Sequence, residues 1–428
     1  MQEIKCPQIG EKMYIEILEN GLKIMIIPKR NTNKKYIMYG PNFGSVDNRF
    51  IMPDTGEEIF IPDGVAHFLE HKMFEQKDGT DSLYELMALG IDANAYTTRD
   101  HTAFLFECTD HFYEGLDILM DYVQNPYFTD ENVEKEKGII GQEIMMYDDD
   151  PGWQLYMNTM DCLYKKNPIK IDIAGSIESI SKIDPEVLNK CYKTFYNPSN
   201  MLITACGDFD PETLVNEIKK RIINNKSQNK IERIYPTSDF EINKKYVEKT
   251  MPISMPIFMI GYKDRPTGDK NEIVKKHIAI EILLNLIIGE SSELYSKLAR
   301  EKTIFGILDF DYEFSEQYAH ILISGQSKDP LYVNNELKKV VKNFIEKGLD
   351  SEDFERIKKK IYGSYVMEYN EVSNVARMFF ADSVKGINSF DYIEKFGEID
   401  KNYTQNLLKN IFEEKNEVFS IIKGENND

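Results

Sequence analysis

The chain has 428 residues and a formal net charge of -20 at pH 7. This length exceeds what one hydrophobic core usually organises, so it predicts two domains. Charged residues make up 29% and hydrophobic residues 42% of the chain, a balance typical of globular rather than disordered proteins. The acidic surplus offers no basic surface to a phosphate backbone, which argues against nucleic acid as a partner.

The N-terminus and the cysteines indicate where such a chain works. Residues 1–5 lack the basic start and apolar run of a signal peptide. The most apolar helical segment, 278–288, contains Glu281 and Asn285 and is too short to span a bilayer. Five scattered cysteines without a C-x-x-C pair predict neither a disulfide framework nor a cysteine zinc site. We therefore expect a cytoplasmic protein with no membrane partner.

The first half of the chain alternates predicted strands and helices. Residues 14–18 and 22–27 flank Asn20-Gly21, a tight-turn signal, and predict a β-hairpin. Asp63 is the predicted N-cap of a helix that ends before Gly79. In chain order we also predict strands over 35–39, 93–98, 102–108 and 201–206, and helices over 82–89, 112–123, 129–150, 185–196 and 211–223.

A polar stretch, 224–238, interrupts this pattern and predicts a domain boundary. We assign 1–225 to an N-terminal domain, 226–245 to a linker and 246–428 to a C-terminal domain. Beyond the linker the order of elements begins again, with predicted strands over 253–262, 305–314, 318–324 and 417–422, and helices over 272–288, 291–302 and from 331, 351 and 371. The repetition predicts two α+β domains of similar plan.

The main chemical signal is the pentad His67-Phe68-Leu69-Glu70-His71. Its two histidines are four residues apart, so on a helix they project from one face and can reach one tetrahedral zinc ion. Glu70 lies beside that face, in the H-x-x-E-H order. Two helical histidines near a glutamate are also compatible with a surface or core pair. Because the chain has only six histidines, the pentad favours a metal site.

A catalytic zinc needs a third protein ligand. The best donor lies on the helix predicted from 129, where Glu136 and Glu143 are two turns apart and share a face. Ile139, Ile140 and Ile144 indicate that this helix is partly buried, where an inward carboxylate is costly unless it is paired or binds a metal. We assign Glu143 as the ligand and expect Glu136 to orient a ligand by a hydrogen bond. Solvated surface glutamates are the other interpretation.

These residues resemble the M16 family of metallopeptidases, the insulinase, pitrilysin and mitochondrial processing peptidase group. The resemblance covers essentially the whole chain, and segments 67–74 and 134–142 look most like bacterial YmfH-type proteins. It implies an architecture of two similar α/β-roll domains that face each other across a chamber. It also implies a zinc-dependent endopeptidase in which His67, His71 and Glu143 bind Zn²⁺ and Glu70 is the base.

The resemblance extends to residues that would contact a peptide substrate. Asn94 and Ala95 match an edge-strand segment that binds the substrate backbone, although Asn94 is also a common turn residue. The family's second domain often carries an Arg and, seven residues later, a Tyr near the scissile bond. Arg300 fits this Arg, and a surface ion pair with Glu293 or Glu301 is its other interpretation. The position seven later is Ile307, and Tyr312 is out of register.

Two further hypotheses follow from this departure. The chain is either active as a monomer or homodimer, or it needs a related M16-like partner chain that supplies the missing contacts. A third hypothesis is a non-catalytic assembly subunit with the same fold. The intact pentad and Glu143 argue against it. We interpret the remaining histidines of this half, His101 and His111, as surface residues.

Overall fold

The structure is a computed structural model that describes residues 1–223, 226–236 and 239–424. In chain order the strands are β1 Gln2–Cys6, β2 Glu11–Ile17, β3 Lys23–Pro28, β4 Lys35–Pro41, β5 Arg49–Ile51, β6 Glu58–Phe60, β7 Asp92–Thr97, β8 Thr102–Cys108, β9 Met201–Gly207, β10 Glu232–Arg233, β11 Tyr246–Thr250, β12 Ile257–Asp264, β13 Ile304–Phe314, β14 Ala319–Ser327 and β15 Glu417–Lys423.

The helices follow the apolar periodicity of the sequence. They are α1 Val65–Lys72, α2 Ser82–Ala88, α3 Phe112–Gln124, α4 Asp130–Asp148, α5 Pro151–Leu163, α6 Ile177–Ile180, α7 Pro185–Phe195, α8 Pro211–Lys220, α9 Lys270–Ile288, α10 Glu293–Arg300, α11 Pro330–Lys347, α12 Ser351–Glu368, α13 Val372–Val384, α14 Asp391–Glu394 and α15 Lys401–Ile411. Within the described part of the chain, no helix combines the length and the apolar character that a bilayer crossing requires.

The chain forms two compact units. Unit 1 comprises Met1–Met145, Ile171–Tyr235 and Met367–Ser389, and unit 2 comprises Met146–Lys170, Pro236–Val366 and Phe390–Asp428. One boundary between the units, after Tyr235, falls within the predicted linker, 226–245. Each unit, however, consists of three separate segments of the chain, whereas each predicted domain is one continuous segment. Asn224, Asn225, Thr237 and Ser238 of the polar stretch lie outside the described residues.

Unit 1 is built on a seven-stranded sheet with the order β1-β2-β3-β9-β4-β8-β7. The predicted hairpin is β2 and β3, in which Tyr14 pairs with Ile26. Strand β9 lies between β3 and β4, parallel to β3 and antiparallel to β4. Among the helices, α3 and α1 contribute the most residues to the apolar core of unit 1. Strand β7 ends the sheet and has a free edge.

Unit 2 repeats this plan. Its five-stranded sheet has the order β11-β15-β12-β14-β13, and only the β11–β15 pair is parallel. These strands correspond in connectivity and direction to β3, β9, β4, β8 and β7 of unit 1. Helix α9 takes the place of α1, and α12 takes the place of α4. The prediction of two similar α/β domains is confirmed.

One helix of each half of the chain packs in the unit formed mainly by the other half. Helix α5 contacts β12 and β15, and α13 contacts β4 and β9. These strand pairs correspond to each other in the two sheets, so the exchange is symmetric. Helix α5 follows directly after α4. Pro151, predicted to end the preceding helix, also lies in the first turn of α5 and starts it.

The start of α1 depends on one glycine. The N-cap is Gly64 with φ 94°, whereas the predicted N-cap Asp63 lies one residue earlier and accepts a hydrogen bond from Asn48 Nδ2 at 3.2 Å. A Cβ at Gly64 would lie 2.4 Å from the carbonyl oxygen of Ala174. The helix also ends earlier than predicted, at Lys72. The left-handed turn aims α1 so that Phe68 and Leu69 are fully buried.

We expect Gly64→Ala to lower the free energy of unfolding of unit 1 by about 2 kcal/mol or more, because the residue is left-handed and its Cβ meets backbone. The control is Gly138→Ala on α4, where a Cβ meets nothing within 4 Å. That change should stabilise by about 0.5–1 kcal/mol. Urea unfolding of both variants measures the difference. Equal stability of the Gly64→Ala variant and the wild type would contradict this account.

Candidate metal and peptide-cleavage site

Two helices of unit 1 bring three potential ligands together. His67 and His71 lie one turn apart on α1, with ring centroids 4.5 Å apart. Glu143 lies on α4, and its Oε2 is 3.7 Å from His67 Nε2 and 3.5 Å from His71 Nε2. The three ligand atoms lie within 4.8 Å of one another, and among the described residues no second group of this kind was found.

This spacing fits zinc. With metal–donor bonds of about 2.0–2.1 Å, the donors of a tetrahedral zinc ion lie ~3.3 Å apart. The two distances from Glu143 to the histidines are close to this value and too long for strong hydrogen bonds. Two imidazoles and one carboxylate also form the donor set of many catalytic zinc sites, which keep the fourth position open.

His71 is oriented by a neighbour that lies seven residues before Glu143. Its Nδ1 contacts Glu136 Oε1 at 3.0 Å, which leaves Nε2 to face Glu143. Burial alone would lower the pKa of His71, but the hydrogen bond to Glu136 and the surrounding carboxylates outweigh it and raise that pKa. Burial likewise opposes the lowered pKa of Glu136, which the partners His71 and Lys72 produce.

Lys72 is a member of this network that the sequence analysis missed. Its side chain is 1% exposed, and Nζ lies 3.6 Å from Glu136 Oε2 and contacts Glu75. A lysine directly after the pentad looks like a surface residue, and only its depth in unit 1 reveals the pairing. The buried ammonium holds Glu136 ionised, which suits a carboxylate that receives the Nδ1 proton of His71.

His67 is held in the neutral form. Burial, together with the neighbouring His71, lowers the pKa of His67 to about 3. A neutral imidazole is the form that binds a metal. Its Nε2 faces Glu143, while Nδ1 is buried without a hydrogen-bond partner among the described residues.

Glu70 is next to His71 on α1 but is not one of the three potential ligands. Its Oε2 accepts a hydrogen bond from Thr97 Oγ1 at 2.6 Å, so α1 is tied to the last residue of β7. Burial raises the pKa of Glu70, although the hydrogen bond from Thr97 opposes the shift. A carboxylate with a raised pKa, fixed beside a metal site, is suited to proton transfer near neutral pH. The sequence pattern alone does not reveal Thr97 as the partner of Glu70, because the two residues are distant along the chain.

Strand β7 presents a free edge next to this cluster. Thr98 N donates to His101 O at 2.8 Å, and since hydrogen bonding alternates along a strand, the amides of Ala93, Ala95 and Thr97 point to the open edge. Asn94 is exposed, and its Oδ1 accepts from the N–H of Ala95 at 2.8 Å. The side chain therefore satisfies an edge donor that an added strand would otherwise use.

Comparison with known proteins places the chain in a family. The model of insulinase (peptidase family M16) matches residues 62–176, and that of the peptidase M16 inactive domain matches residues 182–361. The chain is 34% identical over 412 residues to the uncharacterized zinc protease YmfH of Bacillus subtilis, which covers 96% of each chain. The chain belongs to the M16 peptidase family.

Solved structures agree with this M16 assignment. A putative M16-like peptidase from Alicyclobacillus acidocaldarius superposes with a TM-score of 0.92 at 31% identity, over 97% of this chain and 99% of the other. A peptidase M16 inactive domain from Pseudomonas fluorescens shares the fold, with a TM-score of 0.79 at 15% identity over 96% and 97% of the two chains. The fold thus occurs in proteins described as peptidases and as inactive domains.

The other predicted site residue of this M16 chain lies in unit 2. Arg300 is the exposed last residue of α10, and its Nε donates to Ser296 O at 3.1 Å. Among the described residues it has no ion pair with Glu293 or Glu301. Ile307, 53% exposed, lies on β13. The Tyr312 hydroxyl donates to Asp264 Oδ2 at 2.7 Å, and its ring is buried.

The interpretation of His101 as a surface residue is wrong. Only 4% of it is exposed, because α13 covers the turn between β7 and β8 and places Phe380 5.3 Å from the His101 ring. Its Nδ1 lies 2.7 Å from Asp100 Oδ1. His111 is exposed as predicted, at the N-cap of α3.

We expect His71→Ala to lose bound zinc, because two protein ligands are too few for a stable site. Glu136→Gln should retain zinc with an affinity about 10–100-fold lower, since it removes only the group that orients His71. The matched control is His111→Ala, at an exposed position. Elemental analysis and chelator competition measure zinc content and affinity. Stoichiometric zinc in the His71→Ala protein would refute the ligand assignment.

Proposed function

We propose that this chain is a zinc-dependent endopeptidase in which His67, His71 and Glu143 bind the metal. The observation that carries the proposal is the meeting of these three donors within 4.8 Å. Glu70, next to His71 on α1, interacts electrostatically with His71 and Glu143. The name zinc protease of the Bacillus subtilis relative supports it. The substrates would be peptides or unfolded segments of proteins.

The chemistry is divided between the metal and the side chains. Zinc, when bound, supplies a Lewis acid that lowers the pKa of water and polarises a carbonyl group. Glu70 accepts the proton of the attacking water and delivers it to the leaving amine, while Thr97 fixes its orientation. Glu136 keeps the Nε2 lone pair of His71 directed at the ligand cluster.

Strand β7 would hold the substrate. A peptide that adds to its free edge forms main-chain hydrogen bonds with Ala93, Ala95 and Thr97, independent of side-chain identity. Asn94 would release the Ala95 N–H and turn its amide to the substrate. Because Thr97 is bonded to Glu70, this edge leads directly to the proposed base.

A non-catalytic subunit is the main competing function, since proteins with this fold include one described as an inactive domain. The donor set argues against it here. Burying Glu70, Lys72 and Glu136 and half-burying two histidines and Glu143 costs free energy, and an assembly subunit gains nothing from that arrangement.

The experiment is Glu70→Gln. The amide cannot accept a proton, so we expect peptide hydrolysis to fall by about 10²–10⁴-fold while zinc content stays unchanged. Glu131→Gln, an exposed position at the start of α4, is the matched control and should leave both unchanged. Hydrolysis of a peptide library, with and without chelator, measures activity, and elemental analysis measures zinc content. Wild-type turnover in Glu70→Gln would remove Glu70 from the mechanism.

A second candidate function is the zinc-carrying subunit of a two-chain peptidase. The observation that favours it is the engagement of Tyr312 by Asp264, together with Ile307 at the position of the expected tyrosine. The hydroxyl of Tyr312 is then not free to position a substrate, and the stabilisation that a tyrosine provides there would have to come from a related chain.

We expect the isolated chain to hydrolyse peptides slowly and a co-purifying M16-like chain to raise the rate at least tenfold. Purification from the native cell, followed by assays of the separated and recombined chains, measures the effect. Ile307→Tyr in the isolated chain tests the same idea without a partner and should raise the rate. Full activity of the single chain, with no related chain bound, would contradict the two-chain hypothesis.

A further inference from the structure

The two faces of β7 carry different groups. Side chains alternate along a strand, and Thr97 meets Glu70 while Ala93 and Ala95 pack against the apolar core. Asn94 and Tyr96 therefore point to the opposite face of the sheet. A peptide strand added to β7 would also alternate, so half of its side chains would lie on the face away from the metal ligands.

That opposite face is covered in part by α13, the helix contributed by the C-terminal half of the chain. The guanidinium carbon of Arg377 on α13 lies 5.3 Å from the ring centroid of Tyr96 and 5.5 Å from that of Tyr36 on β4. One turn further along, Phe380 packs against His101. Two contacts of α13 with the β7–β8 hairpin thus fix where Arg377 stands.

Arg377 is exposed and has no carboxylate partner among the described residues. The neighbouring Glu107, on the same face, is instead paired with Lys34 at 3.1 Å. Arg377 is restricted by cation–π attraction to the two rings and also lies close to the hydroxyl groups of Tyr36 and Tyr96. A guanidinium has five N–H donors in one plane, more than two hydroxyls occupy, so donors remain for a further acceptor. This geometry suits a carboxylate, which accepts two parallel hydrogen bonds.

We propose that Arg377 binds a carboxylate of the peptide that lies along β7, and so gives the enzyme a preference for acidic substrates at this subsite. The inference rests on the proposed function, since it assumes that β7 holds the substrate. Side chains directly opposite each other on paired strands are about 4.5–5.5 Å apart, so a residue placed beside Tyr96 comes within reach of the guanidinium above that ring. The carboxylate is either an Asp or Glu side chain or the C-terminus of the peptide.

The test compares Glu with Gln, which differ in charge but hardly in shape. A zinc-loaded full chain is given peptide libraries with Glu or Gln at each position, in forms with a free and with an amidated C-terminus. We expect kcat/KM for Glu to exceed that for Gln about three- to tenfold at one position, or at two positions two residues apart. A preference seen only with the free C-terminus identifies the terminal carboxylate as the bound group and equally supports the proposal.

The variants assign the preference to one side chain. Arg377→Ala should bring the Glu:Gln ratio to about one, and Arg377→Glu should invert it in favour of Gln. Arg377→Lys should retain part of the preference, because the charge remains but the planar fork is lost. Arg356→Ala, an exposed arginine of unit 2, is the matched control and should keep the wild-type ratio. Each Glu:Gln ratio compares two peptides on the same protein sample. A partial loss of folded protein therefore lowers both rates equally and leaves the ratio unchanged.

Binding separates this inference from the proposed function. Labelled Glu and Gln peptides are titrated onto the zinc-loaded Glu70→Gln protein with and without Arg377→Ala, which requires no turnover. A Glu preference in binding that Arg377→Ala removes supports the subsite even if the wild type cleaves nothing, in which case only the proposed function fails. Equal binding and cleavage of Glu and Gln peptides by the wild type, or a preference that survives in Arg377→Ala, overturns the inference.

Discussion

The site depends on the cost of placing polar groups between two helices that are otherwise packed into an apolar core. Helix α1 buries Phe68 and Leu69 completely, and it directs two imidazoles toward the carboxylates of α4. Each of these groups loses hydration, so it must find a fixed partner or a metal. The His71–Glu136–Lys72 chain and the Glu70–Thr97 bond provide such partners. They also lock α1, α4 and β7 into one arrangement, since a shift of any element would leave a buried group unpaired.

What could be predicted from the sequence is what local periodicity determines. The spacing of His67 and His71, and of Glu136 and Glu143, follows from the helix repeat, and the structure places all four side chains in one cluster. The hairpin of β2 and β3 follows from its turn residues. The exchange of α5 and α13 could not be predicted, because amphipathic periodicity shows that a helix has an apolar face but not which sheet receives it. For the same reason His101 was misassigned, since its polar turn is covered by a helix distant in sequence.

The free edge of β7 illustrates how the fold handles a strand that must stay open. Exposed edges invite pairing with other chains, and Asn94 and Asp92 on this strand reduce that tendency by placing polar side chains at the edge. The Asn94–Ala95 bond satisfies an outward N–H without closing the edge permanently. The corresponding edge of unit 2, β13, has a register shift between Phe305 and Asp309, which interrupts its pairing with β14. The two edges have therefore diverged: one is regular and capped by a side chain, and the other is bulged and carries the exposed Ile307.

The duplication lets the metal cluster be compared with its counterpart inside the same chain. Helix α9 occupies the place of α1, and it carries Glu281 and Asn285 at the four-residue spacing of His67 and His71. In unit 2, however, these groups are satisfied by α12: Tyr365 donates to Glu281 at 2.7 Å, and Lys360 donates to Asn285 at 2.9 Å. Direct hydrogen bonds between the two helices leave no need for an ion there. In unit 1 the carboxylate of Glu143 stands 3.5 and 3.7 Å from two imidazole nitrogens, a spacing that direct bonds do not explain and a tetrahedral ion does. The same helix pair thus accommodates either a closed polar contact, as in unit 2, or the proposed metal site of unit 1, and the side chains at these few positions decide between the two.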